Sequence, residues 1–233
     1  MDTRQFLRRY AYVYFYAAAF FLVCGALVRH SVETAGTLDP FPAYPVVVID
    51  PGHGGLDGGT TGVSGTAEDE VNLAISRRLN ALLALCGCDS IMTRTTSEGL
   101  ATEGDTIRRQ KQSDLRNRVA LVNGLPSAVL VSIHQNHFPD SRYYGPQVFW
   151  SAGGEALARN TQAALNAALE GRRTARQASG IYLMERITHP GILVECGFLS
   201  NPAEEGKLTA GTYQKQIAAV LAGAVLSYLQ DPA

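Results

Sequence analysis

The stretch VVVIDPGHGGLDGG (46–59) decides the fold and raises the first functional question. Four apolar residues and Asp50 run into a proline and then into a loop with five glycines and one histidine, His53. A short apolar run cut off by proline is typical of a buried parallel strand. The loop is either a tight turn with an incidental histidine, or a segment whose glycines permit an unusual backbone around a metal ligand.

Strand and helix patterns alternate after this stretch. The segment 68–87 repeats apolar residues at helical spacing, starts with acidic residues and ends at Gly87, which predicts a helix. Further helices are predicted over 113–125 (with Ser113 as cap), 154–171 and 213–229, and residues 98–112 are read as a loop or short helix. Strands are predicted at 90–95, 128–134, 146–151 and 191–197, with an edge strand at 180–184. This alternation predicts one α/β domain, a mainly parallel twisted sheet of about six strands flanked by helices.

The first 44 residues differ in kind from the rest. Residues 1–9 carry three arginines, and residues 10–28 then contain no charge at all. Nineteen such residues are just enough for a transmembrane helix, and the basic flank should stay in the cytoplasm. We therefore expect a cytoplasmic flank (1–9), an uncleaved signal anchor (10–28), a linker (29–44) and an extracytoplasmic domain (45–231).

Composition excludes some classes of protein. The 233 residues have a formal net charge of −1 and no basic stripe, which argues against nucleic acid as a partner. The glycine loop is not a dinucleotide fingerprint, because its third glycine would fall at Asp57. Outside the predicted anchor there are three cysteines, and we expect Cys86 and Cys88 to be small buried thiols rather than a disulfide.

Three residues follow or end predicted parallel strands: His53, His134 and Glu195. Functional crevices of parallel α/β sheets lie at the carboxyl ends of the strands. Hydrolytic zinc sites use imidazoles, often a carboxylate, and one open position for water. Two histidines at adjacent strand ends would supply the nitrogen ligands.

The carboxylate ligand is expected in the turn after the glycine loop, where Glu68, Asp69 and Glu70 are equal candidates. Glu195 ends an apolar strand, where an unpaired buried carboxylate costs several kcal/mol. A structural role would require an arginine or backbone donors facing it. A functional role would require only the metal, and we favour that interpretation.

Five segments, in order and spacing, resemble the zinc-dependent N-acetylmuramoyl-L-alanine amidases of the amidase-3 family: VVVIDPGHGGLDGG, EDEVNLAI, LRNRVALVN, VLVSIHQNH and ILVECGFLSNPAEEGKL. The resemblance covers about 46–229. The segments IRRQKQSDLRNRV (107–119) and GIYLMERITHPGILVECGFLSNP (180–202) are similar to the germination-specific, sporulation-associated members.

This resemblance implies roles for particular residues. The family's ligand glutamate lies four residues before an Asn-Leu pair, which here implies Glu68, with His53 and His134 as the other Zn²⁺ ligands. Glu195 matches the catalytic glutamate. Asn136 and His137 are the expected substrate contacts. His137 departs from the small residue usual in the family, and Asp69 stands where lysine is common.

The implied reaction is hydrolysis of the amide between the lactyl group of N-acetylmuramic acid and L-alanine in peptidoglycan. In the sporulation subgroup this cut is the first step towards muramic-δ-lactam in spore cortex. The alternatives are another zinc-dependent wall hydrolase, a peptidase or deacetylase, and a scaffold without catalysis. Because no wall-binding module is recognisable, we also expect an activating partner attached to the membrane, such as a lipoprotein.

Overall fold

One six-stranded sheet organises the computed structural model, which describes residues 45–231. Its strands are β1 (Val46–Pro51), β2 (Ser90–Met92), β3 (Ala128–Asn136), β4 (Gln147–Trp150), β5 (Arg176–Gln177) and β6 (Gly191–Phe198). Their order is β2-β1-β3-β6-β4-β5, and every neighbouring pair is parallel except β4 with β6. The predicted α/β domain with a mainly parallel sheet is confirmed, and the antiparallel pair makes the sheet mixed.

Helices cover both faces of the sheet. They are α1 (Glu68–Leu85), α2 (Ile107–Asn123), α3 (Glu155–Leu169), α4 (Tyr182–Arg186), α5 (Pro202–Leu208) and α6 (Gly211–Gln230). Successive side chains of a strand point to opposite faces. Val47 and Ile49 accordingly join a buried cluster with α1, α3 and α6, whereas Val48 joins a second cluster with α2 and α4. Burial on both faces explains why these strands read as continuous apolar runs.

The predictions for the first 44 residues, including the transmembrane helix, concern residues outside the described range. Within residues 45–231, no helix combines the length and the apolar character that crossing a membrane requires. The anchor, the linker and the domain boundaries stay predictions.

The predicted edge strand at 180–184 is wrong, because this segment forms the short helix α4. Leu183 and Met184 are neighbours in sequence, yet both are buried in the cluster with α2. A strand would point them to opposite faces, whereas a helix can bury both. The two edges of the sheet are β2 and the two-residue strand β5.

The start of α2 also differs from the prediction. The helix begins at Ile107, with Thr106 as its cap: the Thr106 side chain accepts a hydrogen bond from the Arg109 amide. Ser113, the predicted cap, is buried inside the helix, where its hydroxyl accepts from the Thr102 amide. The first turns of α2 are largely exposed and so lack the apolar stripe that marks a helix in sequence.

The three cysteines among residues 45–231 are free, as expected for Cys86 and Cys88, but Cys86 is exposed rather than buried. The last turn of α1 is exposed from Ala84 to Gly87, so this thiol has no apolar surface to pack against. Cys88 is half-buried and Cys196 is fully buried in the core.

Candidate active site

The topology brings the predicted strand-end residues to one edge of the sheet. β1, β3 and β6 are neighbours and run parallel, so their carboxyl ends coincide. His134 on β3 is paired in register with Glu195 on β6, and His53 follows β1 by two residues. The predicted convergence of these three residues is therefore seen in the structure.

Two histidines and one glutamate form a compact triad at this edge. Glu68 Oε1 lies 3.3 Å from His53 Nε2 and 3.0 Å from His134 Nδ1. The candidate ligand atoms of all three residues lie within 4.8 Å of one another. Of the three acidic candidates at the start of α1, the structure brings Glu68 into the triad; the neighbouring Glu70 is exposed.

Glu68 is held in place by donors on three sides. Its Oε1 accepts from the Gln135 amide at 3.1 Å and from the Asn72 side chain at 3.3 Å, and its Oε2 accepts from the Thr60 amide at 2.9 Å. Burial raises the pKa of Glu68, but the hydrogen bonds and charges of the two histidines outweigh it and hold the pKa well below its usual range. Glu68 is therefore an anionic, oriented carboxylate.

The glycines of the loop make room for the triad. A Cβ at Gly52 would overlap the imidazole of His134, and a Cβ at Gly59 would lie 2.5 Å from Glu68 Oε2. Gly59 also has a φ of +72°, which favours glycine. His53 itself adopts a φ of +62°, and its carbonyl accepts a hydrogen bond of 2.6 Å from the buried Arg118. The glycine loop thus folds back so that His53 meets Glu68.

Asp57 is a site residue that the sequence analysis missed. Its carboxylate lies 2.9 Å from His53 Nδ1 and 3.0 Å from Lys111 Nζ on α2. A carboxylate at Nδ1 fixes the proton there and leaves the Nε2 lone pair facing Glu68 and His134. The sequence contains one indication of this contact, which is an acidic residue four positions after His53 in a loop whose glycines allow the chain to turn back.

The charges around His53 favour its protonated form in the metal-free protein. Burial lowers the pKa of His53, but the hydrogen bonds and negative charges of Asp57 and Glu68 outweigh it and raise the pKa to about 9. Asp57 is also paired with Lys111, so Glu68 supplies the negative charge that faces Nε2. A bound cation would replace the Nε2 proton and balance the charge of Glu68.

Glu195 lacks the partners that a structural carboxylate needs. Its Oε2 is buried and has no hydrogen-bond partner among residues 45–231. Burial raises the pKa of Glu195 to about 7; the Glu68 charge also raises it, while His134 and His53 lower it. A carboxylate whose pKa is near neutral, beside a triad of this kind, is well placed to act as a proton acceptor.

Asn136 and His137, the expected substrate contacts, lie outside the triad. Asn136 ends β3 and is partly exposed, and its carbonyl accepts from the Leu199 amide at 2.9 Å. His137 follows it and is exposed. Nothing in the structure assigns either residue a ligand.

The triad fits a zinc ion by its donor set. Two imidazole nitrogens and one carboxylate oxygen are ligands that zinc takes in hydrolytic sites, which keep a further position open for water. His53 also has the carboxylate at its second nitrogen that zinc-binding histidines commonly have. A parallel-sheet edge with this triad and an unpaired carboxylate defines an α/β enzyme with a site suited to hydrolysis.

The chain belongs to the Amidase_3 family, N-acetylmuramoyl-L-alanine amidase, which it matches over residues 47–227. It is 38% identical over 191 residues to the germination-specific N-acetylmuramoyl-L-alanine amidase of Bacillus subtilis (strain 168), an alignment that covers 80% of each chain.

Two solved structures support the same assignment. The CwlD amidase of Clostridioides difficile, solved in complex with the GerS lipoprotein, has a TM-score of 0.77 at 33% identity and matches 80% of this chain and 98% of that one. An N-acetylmuramoyl-L-alanine amidase of Clostridium difficile 630 has a TM-score of 0.72 at 29% identity, over 82% and 99% of the two chains. The predicted family is confirmed, and the protein is an N-acetylmuramoyl-L-alanine amidase, a hydrolase.

Proposed function

We propose that the chain cleaves the lactyl–L-alanine amide of peptidoglycan as a zinc enzyme, with His53, Glu68 and His134 as ligands and Glu195 as the general base. The observation that carries this proposal is the triad, whose ligand atoms lie within 4.8 Å beside a carboxylate with an unpartnered buried oxygen. Zinc bound there supplies Lewis-acid activation of water and of the amide carbonyl.

The chain's own residues perform the proton transfers. Glu195, deprotonated, takes a proton from the water that attacks the lactyl carbonyl. The C–N bond then breaks, and Glu195 returns the proton to the departing amine of L-alanine. The products are a muramic acid with a free lactyl carboxylate and a free stem peptide. Asp57 orients His53 throughout the reaction. From α2, Lys111 pairs with Asp57, and Arg118 donates a hydrogen bond to the His53 carbonyl.

Mass spectrometry of digested peptidoglycan tests the reaction. The purified full chain, with zinc and with a chelator, is incubated with peptidoglycan, and the products are then cut with a muramidase. We expect free stem peptides and unsubstituted muramic acid, both abolished by the chelator. Fragments cut within the stem, or deacetylated sugars, would instead support the alternative wall hydrolases.

Replacing Asp57 by asparagine should weaken zinc binding. The variant keeps the size of the side chain but loses the negative charge that fixes the His53 tautomer and binds Lys111. A carboxylate that hydrogen-bonds the second nitrogen of a metal-binding histidine is worth about 10–100-fold in metal affinity. Competition with a chromophoric chelator measures the change, with Asp105→Asn, an exposed acid on the surface, as the matched control. Equal zinc affinity in Asp57→Asn and the wild type would exclude this role.

We further propose that the cut serves spore cortex maturation, as the first step towards muramic-δ-lactam. The support is the 38% identity to a relative named germination-specific. Spores of a strain that lacks this protein should contain no muramic-δ-lactam. A normal lactam content in those spores would contradict the proposal.

An activating lipoprotein partner is also proposed, because the similar amidase of Clostridioides difficile was solved in complex with the GerS lipoprotein. Full zinc occupancy and full turnover of the purified chain alone would contradict this. The proposed membrane anchor at 10–28 rests on the uncharged run, and the proposed extracytoplasmic location rests on the three arginines of residues 1–9. Release of the full-length protein from membranes by alkaline carbonate would contradict the anchor.

A further inference from the structure

The loop that follows β3 exposes an unusual set of side chains. Residues 137–146 connect His134's strand to β4, and three aromatic residues in this loop are 44–51% exposed: Phe138, Tyr143 and Tyr144. The rings of Phe138 and Tyr143 lie 4.5 Å apart between centroids, and Tyr143 lies 6.2 Å from Phe198 at the end of β6. A contiguous exposed aromatic surface of this kind is typical of an interaction site.

Arginines complete this surface. The Arg173 guanidinium lies 4.7 Å from the Phe198 ring centroid and 5.9 Å from that of Tyr143, and its Nε donates to the Tyr144 carbonyl at 3.0 Å. Arg172 is exposed and has no acidic partner among the described residues. A groove of about 400 Å³, the arginine–aromatic groove, is lined by Asp140, Arg142, Tyr143, Tyr144, Arg172 and Arg173.

The net positive charge of the groove favours an anionic ligand. Three arginines face one carboxylate, and that carboxylate, Asp140, is already paired with Arg142 at 2.7 Å. Arg173 lies near the Glu204 carboxylate, which also accepts from two backbone amides, so Arg172 is the groove guanidinium that has no acidic partner among the described residues. A planar guanidinium presents a fork of donors that matches a carboxylate, and stacking on a ring fixes its plane in advance.

The loop is fixed to the strand that carries Glu195. The Glu204 carboxylate accepts from the Gly145 amide at 3.0 Å and from the Phe198 amide at 2.9 Å. The Ser200 hydroxyl accepts from the Phe138 amide at 3.0 Å, and the Asn201 side chain donates to the Tyr143 carbonyl at 3.2 Å. These hydrogen bonds fix the backbone of the loop, while the side chains of Phe138, Tyr143, Tyr144 and Arg172 are exposed.

The groove lies near the end of β6 that carries Glu195. Gln147 on β4 is paired in register with Glu195, and its side-chain oxygen accepts a hydrogen bond of 3.5 Å from Arg173 Nη1. The Arg173 guanidinium also stacks on Phe198, which follows Glu195 by three residues. Since an extended residue spans at most about 3.6 Å, Phe198 lies within roughly 11 Å of Glu195, a distance that an extended stem peptide covers in about three residues. That peptide carries free carboxylates on its acidic residues.

We propose that the arginine–aromatic groove binds a carboxylate of the stem peptide, with Arg172 and Arg173 as the anion-recognising residues and the aromatic rings as the platform for the peptide. The inference rests on the amidase activity and adds a specificity determinant to it. An acidic surface of a partner protein is the competing occupant.

Two soluble disaccharide-peptides test this, one with free stem carboxylates and one in which all the stem carboxylates are amidated. We expect the wild type to have the lower KM for the free acid. Arg172→Gln should raise that KM about five- to tenfold, as loss of a charge-assisted hydrogen bond does, and leave the KM for the amide and both kcat values unchanged. Arg173→Lys keeps the charge but not the fork, and should give a smaller rise.

Arg108→Gln is the matched control, because Arg108 is exposed at the start of α2 and outside the groove; it should leave all constants unchanged. An equal KM of the wild type for both substrates, or an Arg172→Gln variant with an unchanged preference, would overturn the proposal. If Arg172→Gln kept its substrate preference and lost only binding to an acidic protein, the groove would be assigned to that partner instead. Failure of the amidase reaction itself would appear as absent turnover of both substrates in the wild type.

Discussion

Glu195→Gln is expected to lower turnover by about 10²–10⁴ while the protein keeps its fold and its zinc. The amide has the shape of the carboxylate but cannot accept the proton of the attacking water, and general-base contributions are worth about 10²–10⁴ in rate. Because the ligand atoms of the triad belong to other residues, zinc affinity should stay within a few-fold of the wild type. Turnover of a soluble muropeptide and chelator competition measure the two quantities separately.

The stability of this variant provides a second readout. The buried Oε2 of Glu195 has no hydrogen-bond partner among the described residues, so its burial destabilises the fold. Glutamine removes the charge, and the melting temperature of the metal-free protein should be unchanged or higher. A lower melting temperature would indicate a structural role, and retained turnover would show that another residue is the base.

The pH dependence of the wild type follows from the same carboxylate. Burial raises the pKa of Glu195 to about 7, and only the deprotonated form accepts a proton. The value of kcat/KM should therefore fall as the pH decreases through this pKa. A zinc ion on the triad would stabilise the carboxylate, so the acid limb is expected at or below about pH 7. This acid limb should be absent from any residual activity of Glu195→Gln.

The sequence was sufficient to predict the convergence of His53, His134 and Glu195. Parallel strands end at a common edge, so three polar residues that follow or end apolar runs must meet there once those strands are neighbours. Spacing alone could not select Glu68, because three acidic residues stand side by side at the start of α1. Their different environments depend on the first turn of the helix, which directs Glu68 to the triad and leaves Glu70 exposed.

Other contacts depend on tertiary structure that no local pattern records. Asp57 contacts the ring of His53, which adopts a positive φ. Lys111 contacts Asp57 from the start of α2, where exposed residues leave no apolar helix pattern in the sequence. Arg118 is charged, yet it is fully buried beneath the loop because Asp50 and Asp114 neutralise it. The strand predicted at 180–184 is wrong because a five-residue apolar run does not distinguish strand from helix.

His53→Ala is expected to lose both zinc and turnover, which separates a ligand from the base. The variant removes one of three ligand atoms and leaves Asp57 without its imidazole partner. With two protein ligands left, zinc affinity should fall by several orders of magnitude, and excess zinc should restore little activity. Metal content after dialysis and turnover at rising zinc concentration measure these effects.

Removing a different histidine controls for this result. His189 lies before β6, at the amino end of the strand, and its Nε2 lies 3.0 Å from the Leu125 carbonyl. His189→Gln should keep zinc and turnover at wild-type levels, because the triad lies at the opposite end of the same strands. If His53→Ala bound zinc as tightly as His189→Gln, the assigned triad would be wrong. Loss of zinc in His53→Ala, with an unchanged melting temperature of the metal-free protein, would show that His53 acts on the metal and not on the fold.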